Sequence, residues 1–415
     1  MTVPPGSLAS GLASIAPGSS ATSGAPAFGA EHLPPEIAQA LVRARLPERA
    51  LALRVQPVDG ADPVASFQAS QAMNPASVFK LVTSAAALDR LGPAYTWQTP
   101  VYFTGPVQRG ELQGSLVIRG SGDPSLVIER LWLLLRHVRA LGVQSISGDI
   151  VLDHAAFAPP RRAPADFDGE SWEPYNVLPD ALLLNYKAVT LSFLPEPGTR
   201  VARVVAEPPL EGVATDASVP LVDGPCDDWH ARLQMTVSDP ARWHAEGRYP
   251  STCGERAWPL AYADPMRYDA KLIAAAWREL GGRLGGTVHD GSTPPGVAPV
   301  FAFASPPLAN VVRDMNKFSN NVMAEQLALT LGLARRRALP DAAQAAGGAT
   351  EDDAREALAD WLRERLGVVP SNGVVIANGS GLARETRLSA EVLARLVLWA
   401  WRSPVMPELL ASLPV

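Results

Sequence analysis

Lysine is scarce in this chain of 415 residues, supplying four of its 36 basic residues, at Lys80, Lys187, Lys271 and Lys317. Any chemistry that needs a lysine amine therefore has few places to stand. One is Ser77-Val78-Phe79-Lys80. A serine hydroxyl is a poor nucleophile until a base lies within hydrogen-bond reach, and residues i and i+3 of a helix share a face. With 28 serines and four lysines, chance alone supplies about a quarter of one such match. A helix-capping serine followed by a surface lysine would look the same. The second polar group is Ser319-Asn320-Asn321, the only S-x-N in the chain. It offers a hydroxyl that can pass a proton and an amide that can hold a peptide group.

The elements around these residues are legible in the pattern. Pro75 and Ser77 suit a helix start, residues 78–91 have apolar helical spacing, and Gly92-Pro93 stops the run. Ser77 then sits at a helix N-terminus, where free N–H groups favour a developing anion. Helical spacing returns over residues 311–331, 351–366 and 389–401, with a short strand at 374–376. Asn378-Gly379-Ser380-Gly381 after that strand reads as a tight turn. It is not a G-x-S-x-G elbow, because position 378 is Asn, and no His is placed as a triad partner. Upstream, residues 36–50 predict a helix and residues 50–55 a strand entering a hairpin at Asp59-Gly60. Between the helical segments, residues 101–300 hold short β-rich runs such as 114–118 and 147–152, the composition of an inserted β-containing domain.

Composition bounds the rest. At 47% apolar and 19% charged residues, the chain can offset its ordering entropy, so disorder is confined to the Ala/Gly/Ser/Pro-rich residues 1–30. A net charge of -6 without basic runs excludes nucleic acid as a partner. No apolar stretch reaches the length of a membrane span. Residues 1–30 carry neither a basic n-region nor a continuous apolar h-region, so no export signal is visible. Cys226 and Cys253 enclose 26 residues and lie in no C-x-x-C. They are predicted to be bridged, which places the chain in an oxidising compartment. A zinc reading with His230 and His244 fits no standard spacing, so no metal is expected.

The wording around the motifs is similar to that of a known family. Met73-Asn74-Pro75-Ala76-Ser77-Val78-Phe79-Lys80-Leu81-Val82-Thr83, Asn316 to Glu325, Gly120-Ser121-Gly122-Asp123-Pro124, Gly148 to Asp153 and Asn378-Gly379-Ser380-Gly381-Leu382 resemble the class C low-molecular-mass penicillin-binding proteins. These are serine-type D-alanyl-D-alanine carboxypeptidases and endopeptidases, and the resemblance runs from about residue 51 onward. It implies an α+β, β-lactamase/transpeptidase-like domain, with helices on an antiparallel sheet, formed by residues 31–100 and 300–415, and residues 101–299 inserted. Ser77, Lys80, Ser319 and Asn321 should then converge. The resemblance makes Ser77 the acylated nucleophile and Lys80 its activating base. Ser319 becomes the relay of a proton to the departing D-alanine, and Asn321 the holder of the substrate amide. Asp153 would meet a cationic peptide side chain; a strand-end turn aspartate is the competing reading. Peptidoglycan peptides and β-lactams are the implied partners, the periplasm the implied location, and no cofactor is required.

One departure stands out. The family's Lys-Thr-Gly strand is absent, since no Lys follows Lys317. That strand supplies a cation for the substrate carboxylate and an oxyanion-hole donor, and losing one such donor costs about 10²–10³ in rate. The expectation is that the motif belongs beyond residue 415. The chain would then lack its terminal strands, leave apolar faces of residues 311–331 and 392–401 partly uncovered, and turn over poorly. The alternative is a non-catalytic cell-wall binding or scaffold protein on the same fold.

Overall fold

The chain enters its first buried helix through a strained step. Ala76 stands at φ +45°, held by the Asn74 side chain, which accepts the Ala76 N–H at 2.8 Å. A 3-10 turn over Ala76–Phe79 runs into the helix Lys80–Leu91, ended by Gly92 at φ +82°. Ser77 thus lies at a helix start. The coordinates are a computed structural model describing residues 33–59, 62–339, 347–370 and 373–414. The expected disorder of residues 1–30 falls outside them.

In chain order the α-helices are α1 (Pro35–Arg43), α2 (Lys80–Leu91), α3 (Ile128–Ala140), α4 (Pro265–Glu279), α5 (Leu308–Lys317), α6 (Asn321–Ala338), α7 (Glu351–Leu366), α8 (Ala390–Arg402) and α9 (Met406–Ser412). Residues up to 68 form one compact unit. It holds α1, a 3-10 turn over Glu48–Ala50 and the antiparallel pair Leu53–Val55 with Ala65–Phe67. The single helix expected over 36–50 is shorter because Pro47 withholds an N–H from any continuation of α1.

From residue 69 onward, two hydrophobic cores form. One gathers buried residues between 79 and 97 and between 308 and 409, including Phe79, Leu88, Trp97, Met315, Leu327, Trp361 and Leu396, together with Phe157 and Ala181. Its sheet, among the described residues, is two strands wide, Ala72–Met73 paired antiparallel with Leu388–Ser389. The other core lies between residues 101 and 277, with Leu116, Ile118, Leu135, Ile150, Leu191, Phe193, Tyr268 and Trp277 at its centre. Around it stand α3, α4 and two five-stranded sheets. One runs in the order Val288–Asp290, Ile150–Asp153, Leu116–Arg119, Gln98–Phe103, Phe301–Ala304; the other runs Tyr249–Pro250, Ser218–Val222, Val201–Glu207, Ala188–Pro195, Arg256–Ala261. Cys226 and Cys253 are bridged, their Cα atoms 4.9 Å apart.

Three expectations are corrected. The run 311–331 is two helices, α5 and α6, broken at Phe318-Ser319-Asn320. Ser319 takes φ +53°, and the Asn320 side chain caps α6 by accepting the Met323 N–H at 3.0 Å. Apolar periodicity continues across the break and hides it. The partly uncovered face expected on this run reduces to Phe318 at the break, which is 80% exposed, since Val311, Val312 and Met315 are buried, as is every residue from Asn321 to Gly332. On α8, by contrast, Val397 and Trp401 do stand exposed. Residues 374–376 form no strand, only an isolated bridge between Val375 and Arg387. By contrast, α7 spans the predicted 351–366, fixed by a capping box between Thr350 and Asp353 and by Gly367 in the left-handed region.

Candidate active site

Lys80 is 2% exposed, and its Nζ meets three oxygens. These are Ser77 Oγ at 3.0 Å, Asn321 Oδ1 at 2.6 Å and the Ser380 carbonyl at 3.0 Å. The first partner comes from one turn earlier on the same helix. The second is the first residue of α6, placed there by the break after α5. The third comes from the turn near the end of the chain. Burial pushes the Lys80 amine down to about 8, and the Glu325 carboxylate opposes that shift. Ser77 itself is exposed, so its oxygen is open to a substrate on one side while a base stands on the other.

The Asn321 amide has a defined orientation. Its Nδ2 donates to the Tyr175 carbonyl at 3.0 Å, which can only accept, so Oδ1 must face Lys80. The turn at Asn378-Gly379-Ser380-Gly381 is wedged between α2 and α6. Thr83 Oγ1 donates to the Gly379 carbonyl at 2.6 Å. A Cβ on Gly379 would stand 2.7 Å from the Ala324 carbonyl oxygen, and one on Gly381, at φ +81°, only 2.0 Å from that of Ala76. The glycines therefore allow the turn to touch the nucleophile's own segment.

Behind the turn lies Glu325, one helical turn after Asn321 on the same face of α6. Its Oε1 accepts from Asn378 Nδ2 at 3.1 Å and from Ser380 Oγ at 3.0 Å, and Oε2 pairs with Arg162. Arg162 also reaches Glu351 at 3.4 Å. From the sequence, Asn378 and Ser380 read only as part of a tight turn, and Glu325, Arg162 and Tyr175 are given no role. The available signal was a lone carboxylate inside the otherwise apolar start of α6.

Two other candidate residues stand apart. Ser319 is exposed and makes no hydrogen bond to Ser77 or Lys80 among the described residues. Asp153 is buried at a strand end. Its Oδ1 accepts from the Ala155 N–H at 2.9 Å, and its Oδ2 from the Thr293 N–H at 2.9 Å and hydroxyl at 2.5 Å. Its outer partner is Arg119, at 3.8 Å. These contacts are those of the strand-end turn reading rather than of a group facing a substrate. His154, Asp180 and Asp269 offer atoms within 4.8 Å of one another, a metal-like arrangement. The Lys187 amine already occupies that position, 2.6 Å from Asp180 and 3.2 Å from Asp269, so the cluster supplies its own cation.

An exposed serine beside a buried lysine, on helices of an α+β fold with a second, β-rich core, has the geometry that serine–lysine acyl transfer requires. The chain belongs to the D-Ala-D-Ala carboxypeptidase 3 (S13) family, whose pattern it matches over residues 33–415. The fold and family are those that the motifs implied. It is 24% identical over 357 residues to the D-alanyl-D-alanine carboxypeptidase DacB of Haemophilus influenzae, an alignment covering 85% of this chain and 71% of that protein. To the D-alanyl-D-alanine carboxypeptidase of Actinomadura sp. (strain R39) it is 28% identical over 361 residues, covering 82% of this chain and 62% of that protein. The crystal structure of penicillin-binding protein 4 (dacB) from Haemophilus influenzae superposes with a TM-score of 0.68 at 22% identity, over 88% of this chain and 78% of that one. The structure of the same protein complexed with a β-lactam gives 0.62 at 21% identity, over 85% and 74%. No helix among the described residues is long and apolar enough to cross a membrane.

Proposed function

We propose that this chain cleaves the terminal D-Ala-D-Ala bond of peptidoglycan stem peptides, or the crosslinks derived from it, through an acyl-enzyme on Ser77. Ser77 Oγ attacks the carbonyl carbon of the penultimate D-alanine and gives its proton to Lys80 Nζ. The tetrahedral intermediate expels the leaving amine, which takes a proton. Water then attacks the ester and restores Ser77. Asn321 holds Lys80 from one side, and Ser319, exposed two positions earlier, is assigned the relay to the leaving nitrogen. The catalytic domain is read as discontinuous, with residues 101–299 inserted. A β-lactam would acylate the same hydroxyl, as the ligand in one structural relative suggests. The Cys226–Cys253 bridge fits an oxidising compartment, so the periplasm is the proposed site of action.

The observation that carries this reading is the 3.0 Å contact between Ser77 Oγ and a buried Lys80 amine pushed down to about 8. The test is incubation with a labelled penicillin, followed by peptide mass mapping. A single adduct on the peptide containing Ser77, absent in Ser77→Ala, is expected. An adduct elsewhere, or none, would overturn the assignment.

A further inference from the structure

The three oxygens around Lys80 constrain more than its position. As an ammonium, Lys80 donates to all three. As a neutral amine it keeps two N–H bonds and one lone pair, and the three partners are not equivalent. Asn321 Oδ1, its orientation fixed by Tyr175, can only accept. The Ser380 carbonyl can only accept as well. Ser77 Oγ alone carries a hydrogen. The two N–H bonds of the neutral amine are therefore taken by Asn321 and Ser380, and the lone pair is left facing the Ser77 hydroxyl. Direction of proton transfer follows from acceptor chemistry.

That logic makes the Ser380 carbonyl as consequential as Asn321, and the carbonyl is held by side chains rather than by a sheet. Asn378 Oδ1 accepts the Ser380 N–H at 3.2 Å and the Gly381 N–H at 2.9 Å. The Ser380 hydroxyl meets Glu325 at 3.0 Å, and Ser380 is fully buried. Resting on the acyl-enzyme reading above, we propose that Glu325 and Ser380 form a positioning unit. Glu325 anchors the turn, the turn's carbonyl takes one N–H of Lys80, and the base is thereby aimed at the nucleophile and its charge balanced. Neither residue hydrogen-bonds to Ser77 Oγ: the Ser380 carbonyl meets the amine of the base, and Glu325 acts on it through the turn.

Charge enters through the same contacts. Burial pushes the Glu325 carboxyl up, while Arg162 and the Ser380 hydroxyl oppose this. Asn378 Nδ2 and Arg162 can only donate to it, which favours the anion. The groups facing this anion are Arg162 from the loop after the strand Ile150–Asp153 and Glu351 from α7. Glu325 is the ionisable neighbour that acts on Lys80. Its negative charge favours the protonated amine and so keeps Lys80 from falling further.

The chain has four lysines, so carbon-13 labelling at the lysine ε position gives a spectrum simple enough to titrate residue by residue. Lys80 is assigned by its loss in Lys80→Arg. In the full chain its midpoint should lie near 8. Glu325→Gln, which keeps the shape and removes the charge, should lower it by about one pH unit. Ser380→Ala, which keeps the carbonyl but cuts its tether, should move it the same way by less. The Ser380→Ala variant carries the test if Glu325→Gln does not fold. An unmoved or raised Lys80 midpoint in a folded variant overturns the proposal, since loosened packing alone would rehydrate the amine and raise its midpoint, opposite to the expected fall. Penicillin acylation is followed in parallel. Failure of the wild-type chain to acylate would count against the Ser77 reading, whereas the lysine titration reports on Glu325 and Ser380 whether or not Ser77 reacts.

Discussion

Asn321 Oδ1 lies 2.6 Å from Lys80 Nζ across 241 positions of sequence, and the same amide donates from its other end to the Tyr175 carbonyl. One side chain thus joins the helix that carries the nucleophile to the connection between the strands Ile150–Asp153 and Ala188–Pro195. A neutral amide suits this place. It takes a hydrogen from the amine without adding a charge that would hold the amine protonated.

Replacing that amide by a carboxylate should show as a pH effect. Asn321→Asp sets an anion at hydrogen-bond distance from Lys80 and raises the pKa of the amine. The neutral base then becomes scarcer near neutrality. Acylation by penicillin at pH 7 should fall by more than about tenfold, and raising the pH should recover part of it. Asn321→Ala should lose rate at every pH without the recovery. Identical pH profiles for the two variants would refute the argument.

For the unaltered chain, the rate should follow the neutral fraction of Lys80. With the amine pushed down to about 8, acylation should rise about tenfold per pH unit below that value and level above it. Stopped-flow measurement between pH 5.5 and 9.5 tests this. A midpoint near the ordinary lysine value of about 10.4 would mean that Lys80 is not desolvated in solution.

Gly381 is the point where the late turn meets the nucleophile's backbone. Gly381→Ala introduces a Cβ about 2.0 Å from the Ala76 oxygen at a residue held at φ +81°. Either the turn or the Ala76 step must move, and both bear on Lys80. A stability loss of about 1–3 kcal/mol in urea unfolding is expected, with acylation falling by more than the loss of folded protein. Gly92→Ala, also at positive φ but with nothing within 4 Å of its Cβ, serves as the comparison and should leave acylation of the folded protein near wild type.

The site was partly legible in the sequence, and the reason is geometric. Ser77 and Lys80 are one helical turn apart, and Asn321 belongs to a motif of fixed spacing, so local pattern was enough to find them. Glu325 and Ser380 act across a fold-dependent contact between α6 and a turn 55 positions later, which no local pattern encodes. The turn itself was read correctly as a turn, but its carbonyl was not read as a partner of Lys80. Apolar spacing ran straight through Phe318-Ser319-Asn320 because α5 and α6 are buried on both sides of the break, and periodicity records burial rather than continuity. The same insensitivity produced a strand at 374–376, where Val374 and Ile376 are buried and Val375 is exposed, but the chain pairs only through an isolated bridge.

The last prediction concerns the buried charges of the β-rich core. Asp180, Lys187, Asp269 and His154 place two carboxylates around one ammonium and one imidazole, so one carboxylate is in excess when His154 is neutral. Burial pushes Asp180 up, but Lys187 and His154 outweigh it and hold its carboxyl below the usual range. Asp269 takes the remainder. It is 2% exposed, its Oδ1 has no hydrogen-bond partner, and burial pushes it up to about 7 against the pull of Lys187. Because this acid's pKa is raised on folding, its contribution to stability is complete below about 4 and is lost as the pH climbs toward 7, where the folded group also ionises. Asp269→Asn fixes the uncharged form. Its unfolding free energy should gain on the wild type by up to about 1 kcal/mol per pH unit between pH 5 and 7 and hold a constant gap above that. Lys187→Met, which leaves Asp180 and Asp269 with His154 alone to offset their charge, should instead cost about 3–5 kcal/mol at pH 7. Urea unfolding at pH 5, 6, 7 and 8 distinguishes the two. A gap between Asp269→Asn and wild type that does not change with pH would show that Asp269 is already ionised at pH 5 and that the Lys187 ammonium satisfies both carboxylates.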